Sequence, residues 1–97
     1  MRIILFFLFS FYNFYLYSQS TDLKKEYKLT NKYFKEKKFN EALSSNEKAL
    51  KLSLKEFGLT HLTTATLLEN KGRLLLELNE YKDAEMQFRE VLVIRKS

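Results

Sequence analysis

The stretch Phe39-Asn40-Glu41-Ala42-Leu43, followed by Ala49-Leu50, returns 42 positions later as Tyr81-Lys82-Asp83-Ala84-Glu85, followed by Val91-Leu92. An aromatic, an acid and an alanine recur in the same order. A second small or β-branched residue stands seven positions after each alanine, which is two helical turns on the same face. Self-similarity at a fixed period implies a chain built from repeated supersecondary units that bury their apolar faces against one another.

Working outward from the two copies, helical periodicity extends over four segments. The first runs from Asp22 to about Lys37, with Leu23, Tyr27, Thr30 and Phe34 at spacings of four, three and four and Tyr33 widening the stripe. Lys37 and Lys38 form its turn. The second, about Phe39 to Lys55, turns Phe39, Ala42, Leu43, Asn46, Ala49, Leu50 and Leu54 inward, with Glu47 and Lys51 an exposed pair four apart. Gly58 is placed to end it in a left-handed conformation, and Thr60 to cap the helix that follows. That third segment, about Thr60 to Leu78, carries Ala65, Leu68, Gly72, Leu75 and Leu76. A mid-helix glycine costs about 1 kcal/mol relative to alanine, so Gly72 implies a close crossing. Asn79 suits a left-handed turn, and the fourth segment, Glu80 to about Lys96, places Tyr81, Ala84, Phe88, Val91 and Leu92 inward, with Glu85 and Arg89 exposed and paired. Each helix pair then has a set of small residues at its crossing: Thr30 with Ala42 and Ala49, and Gly72 with Ala84 and Val91. Tyr33, Phe39, Tyr81 and Phe88 fill the wedges beside them.

The chain has 97 residues, and the first 20 read as a leader. Met1-Arg2 is a short basic start, Ile3 to Tyr17 is apolar or aromatic except for Ser10 and Asn13, and Ser18-Gln19-Ser20 offers small residues for cleavage after Ser18 or Ser20. That layout is a secretory signal peptide. An uncleaved anchor is the competing reading, but a spanning helix needs roughly 20 apolar residues and this run is shorter. The expected location is therefore exported, periplasmic or secreted. Eight of the 15 aromatics lie in the leader, and the remainder is rich in Lys, Glu and Leu, without proline, a composition that favours helix. With no cysteine, neither disulfides nor thiolate metal sites are available. The net charge of +5 comes from seven lysines between Lys24 and Lys38, which spread around the helix as a solvated surface rather than a binding stripe.

The small and aromatic positions Leu29, Thr30, Tyr33, Phe39, Ala42 and Ala49, then Gly72, Leu75, Tyr81, Ala84, Phe88 and Val91, resemble the tetratricopeptide repeat. The 42-residue offset, against the usual period of about 34, is similar to the longer variety in kinesin light chains. There a Gly-x-x-His-Pro loop leads into Thr-Ala-Thr and Leu-x-Asn, matched here by Gly58, His61, Thr64-Ala65-Thr66, Leu68 and Asn70. Leu62 stands for the proline, Lys71 for a buried leucine, Asn46 for an aromatic and Thr30 for glycine. The resemblance implies an all-α fold: two antiparallel helix-turn-helix repeats, about 22–56 and 60–97, forming a short right-handed α-solenoid after the signal peptide.

It also implies a function without catalysis or cofactor. The one histidine, His61, has no cysteine or second histidine to complete a metal site, and Ser44, Ser45 and Ser53 have no base near them in sequence. His61 is better read as a loop or helix-start residue that packs against the preceding helix or helps to cap it. Arrays of this family bind extended peptides along the surface formed by the first helix of each repeat. Carried over by position, that surface holds Lys24, Tyr27, Asn31, Phe34 and Lys35, then Thr66, Glu69, Asn70, Arg73, Leu76 and Glu77. Asn31 and Asn70 are the leading candidates, because an amide both donates to and accepts from a peptide backbone. The competing reading makes Glu69, Arg73 and Glu77 a solvated ion ladder. The expected partner is a protein or peptide, not nucleic acid, since basic and aromatic residues do not interleave through the second copy. A membrane enters only through an uncleaved leader. An apolar patch involving some of Phe88, Leu92, Val93 and Ile94 is expected on the last helix pair, because repeats bury their faces only against neighbours. Self-association, a partner or a continuing chain would cover it. The alternative is the leading fragment of a larger exported or membrane-bound signalling or protease-like protein.

Overall fold

A computed structural model describes residues 22–96, so the expected signal peptide lies outside the described residues. Four helices follow one another: α1 at 22–35, α2 at Phe39–Glu56, α3 at Leu62–Glu77 and α4 at Tyr81–Lys96. They form two antiparallel pairs, an all-α helical-repeat solenoid.

The two tight turns are the same turn built twice. After α1, Lys37 takes φ +60°, the Lys37 amide donates to the Phe34 carbonyl at 3.0 Å and the Lys38 amide to Tyr33 at 2.8 Å. After α3, Asn79 takes φ +64°, its amide donates to Leu76 at 3.0 Å and that of Glu80 to Leu75 at 2.8 Å. Both satisfy helix-end carbonyls in the left-handed closing motif. Because Lys37 is left-handed, α1 ends at residue 35, not at Lys37.

The connection between pairs is different. Gly58, at φ +86°, closes α2 by donating to the carbonyls of Ser53 and Leu54. The cap of α3 is His61 rather than Thr60: its Nδ1 accepts from the Thr63 amide at 3.1 Å while its ring stacks on Phe57, centroids 4.3 Å apart. The stack holds the ring over the helix start, a position the threonine, one residue earlier, does not reach. The buried Thr64 hydroxyl donates to the Gly58 carbonyl at 2.7 Å, so Ser53 must donate to Thr64, also at 2.7 Å.

One core joins both pairs, with Leu23, Ala49, Leu50, Ala65, Leu67, Leu68, Val91 and Ile94 in a single cluster and Leu52 packed against it. The crossing residues Thr30, Ala42, Ala49, Gly72, Ala84 and Val91 are all buried. Thr30 satisfies its hydroxyl on the Glu26 carbonyl one turn back. At Gly72 the excluded volume belongs to a ring: a Cβ there would stand 2.7 Å from Phe88 Cε1.

Three residues expected inward are exposed: Leu54, Tyr81 and Leu92. A stripe on a two-pair solenoid has edges that no helix covers, and Tyr81 lies at such an edge with its hydroxyl donating to Asn79 Oδ1. Of the expected apolar patch, Leu92 and Val93 are exposed while Ile94 belongs to the core and Phe88 is half-buried. Glu47 pairs with Lys71 of α3 at 2.9 Å rather than along its own helix with Lys51. Lys71, in place of a buried leucine, thus carries a cross-helix ion pair. Glu85 and Arg89 pair as expected, at 2.6 Å.

Candidate functional site

A groove runs between α1 and α3, and its walls are two stripes at helical spacing. On α1 they are Lys24, Tyr27, Asn31 and Phe34; on α3, Thr63, Thr66, Asn70 and Arg73. The steps are three, four and three in both, so each stripe keeps to one face. Each residue of α3 stands 39 positions after its counterpart.

The groove has two recesses. The smaller, about 100 Å³, is lined by Thr30, Asn31 and Phe34 of α1 and Asn70, Arg73 and Leu74 of α3. Two amides and a guanidinium there face one apolar wall, and Phe34 is braced edge-on by Phe39, centroids 5.7 Å apart. The larger recess, about 400 Å³, is mostly apolar and is lined by Leu23, Lys24, Tyr27, Lys28, Phe57, Thr63, Thr66 and Leu67. Lys24 and Lys28 are exposed on its α1 side.

Of the residues read from the sequence as a binding surface, Asn31, Phe34, Asn70 and Arg73 come together in one recess. Tyr27, Lys24 and Thr66 line the other. Lys35 is exposed and lines neither. Glu69 is engaged elsewhere: one carboxylate oxygen takes Arg73 Nη2 at 2.9 Å, the other Arg95 Nη2 at 2.6 Å. It positions Arg73 and ties α3 to the end of α4. Of the competing ion ladder the Glu69–Arg73 rung is present, and Glu69 adds a cross-helix contact to Arg95.

Leu23, Lys28, Phe57, Thr63 and Leu67 line the larger recess without having been expected there. Thr63 was accessible from its spacing to Thr66 and Asn70. Phe57 was not, because its place depends on how the Gly58 connection folds back and on the stack with His61.

Among the described residues no group of three or more His, Cys, Asp or Glu side chains is placed to hold a metal ion. His61 spends Nδ1 on its helix cap, and Ser53 spends its proton on Thr64. No helix of the described residues is long and apolar enough to cross a membrane.

Two stacked helix hairpins with a groove between their first helices define a helical-repeat interaction domain. The tetratricopeptide repeat family model matches residues 31–97, and the chain belongs to that family. No curated protein and no solved structure matches it. Repeats of this family serve as protein-interaction scaffolds and are typically non-catalytic.

Proposed function

We propose that this chain is a non-catalytic scaffold, exported from the cytoplasm, that binds an extended peptide or protein segment in the α1–α3 groove. The observation that carries the reading is the meeting of Asn31 and Asn70 across one recess, beside Phe34 and Arg73. A peptide backbone repeats a donor and an acceptor at every residue, and an amide answers both. Two amides on parallel helices grip backbone regardless of sequence, leaving side-chain selection to the larger recess. Apolar walls at Tyr27, Phe57 and Leu67 suit a bulky side chain there. Export is supported by the basic start, the aromatic-rich run to Tyr17 and the small residues at Ser18 to Ser20.

The test is capture from a displayed library of extended peptides, followed by titration of the selected sequences. Asn31→Ala with Asn70→Ala should weaken binding roughly tenfold or more, since each lost hydrogen bond is worth about 0.5–1.5 kcal/mol, with the thermal melt little changed. Undiminished binding by the double variant would remove the groove from the account. Sequencing the amino terminus of the exported protein should give Gln19 or Thr21 as the first residue, and a retained Met1 would overturn the cleaved leader.

A further inference from the structure

The outer face of α4 has a counterpart inside the molecule whose neighbour is known. In the first repeat, α2 presents Asn46, Leu50 and Ser53 to α3: Asn46 Nδ2 donates to the Leu67 carbonyl at 2.9 Å, Ser53 bonds Thr64, and Leu50 is buried in the core cluster. Forty-two positions on, the same rows of α4 carry Phe88, Leu92 and Arg95. Leu50 is 6% exposed and Leu92 is 57% exposed. Leu92 thus stands open where Leu50 is covered by α3, while beside it Phe88 packs over Gly72 and Arg95 reaches Glu69, both of α3.

A head-to-tail copy would cover it with α1 in the role of α3. The positions of α1 equivalent to the fully buried Leu67 and Leu74 are Lys25 and Lys32, both exposed. Stacking α1 there would bury two lysines without partners, which is strongly unfavourable. The charges of α1 oppose that stacking.

The α4 face, by contrast, is complementary to itself. Along it lie Glu85, Phe88, Leu92 and Arg95, symmetric about position 90. Two copies of α4 placed antiparallel about that point bring Glu85 against the partner's Arg95 at both ends. Phe88 meets the partner's Leu92 twice in the middle. Such a surface is isologous, as two-fold association requires. Glu85, Leu92 and Arg95 are exposed and Phe88 is half-buried over Gly72; Glu85 already pairs with Arg89 and Arg95 with Glu69, so the contacts between copies extend these surface ion pairs.

We propose that two copies of this chain associate through α4, antiparallel and two-fold, by this Glu85–Phe88–Leu92–Arg95 face. None of its residues lines the groove, so the inference stands apart from the peptide-binding reading. A single helix pair buries less than the about 800 Å² per partner of a standard stable interface, so the dimer is weak, with a dissociation constant on the order of tens to hundreds of micromolar.

Sedimentation velocity of the purified full chain, from roughly micromolar to about millimolar, should show a reversible monomer–dimer equilibrium that stops at two. Leu92→Glu should weaken it at least tenfold. Glu85→Arg and Arg95→Glu should each weaken it severalfold, and an equimolar mixture of those two variants should associate again, because each then offers the charge the other lacks at both ends. Should Arg95→Glu lose its fold with the Glu69 contact, Leu92→Glu and Glu85→Arg carry the test alone, checked by unchanged circular dichroism at low concentration. A monomer throughout, oligomers growing beyond two, or a dimer indifferent to these changes would overturn the proposal; the last includes association through the leader, which every variant shares.

Discussion

At the scale of single residues, the paired turns separate what the fold demands from what the sequence supplies. Lys37 and Asn79 hold the same left-handed backbone at equivalent positions. A side chain other than glycine costs about 1–2 kcal/mol there, and asparagine is among the few that visit the region readily. Lys37 has no such exemption, while Asn79 also accepts a hydrogen bond from Tyr81. Lys37→Gly should therefore stabilise the protein by about 0.5–1 kcal/mol, visible as a higher urea midpoint, and Asn79→Gly should gain less or lose. A Lys37→Gly protein no more stable than the parent would show that the turn is unstrained. His61 illustrates the limit of single-residue reading. That its role is structural was legible from its isolation in the sequence, but its capping atom and its stack on Phe57 exist only once the Gly58 connection has folded.

Between elements, the crossing of α3 and α4 turns on one exchange of volume. Gly72 is buried opposite Phe88, whose ring occupies the space a Cβ would need. Gly72→Ala gains about 1 kcal/mol of helix propensity but pushes the ring off its seat, losing apolar contact of about 1–2 kcal/mol. The single change should be neutral to mildly destabilising. With Phe88→Ala as background, the space is open and the same substitution should stabilise by about 1 kcal/mol. A double-mutant cycle from urea denaturation at low protein concentration checks this. Equal effects in both backgrounds would mean that the ring is not what requires the glycine. The small residues at both crossings were legible because period and spacing mark them directly. Asn31 and Phe34 on α1 and Asn70 and Arg73 on α3, carried over by position from the family resemblance, line one recess. What was not legible depends on pairing between distant segments: Glu47 with Lys71, Glu69 with Arg95, and Phe57 in the wall of a recess. Helical periodicity records which face is inward, not which neighbour a long charged side chain will reach. Leu54, Tyr81 and Leu92 were misplaced for a related reason, since the width of an apolar stripe does not say how much of it a two-pair solenoid covers.

At the scale of the whole molecule, the two repeats share one core among the described residues. The stability of long arrays is a sum of repeat and neighbour terms, and here residues of both pairs, Leu23 and Ala49 from the first and Val91 and Ile94 from the second, share one core with the fully buried Leu67. The described fold spans 22–96, and at roughly 0.05–0.15 kcal/mol per residue its stability is about 4–11 kcal/mol. Neither half can lose that core and remain folded, so unfolding should be a single transition. Ala42 and Ala84, buried at equivalent crossings in the two repeats, provide matched reporters. Their methyl resonances should vanish at one common urea midpoint. Leu67→Ala, which empties a fully buried position between the pairs, should cost roughly 3 kcal/mol and lower both midpoints together. If Ala42 melted first while Ala84 kept its dispersed signal, the core would not be shared. The second pair would then be the folding unit on which the first is laid.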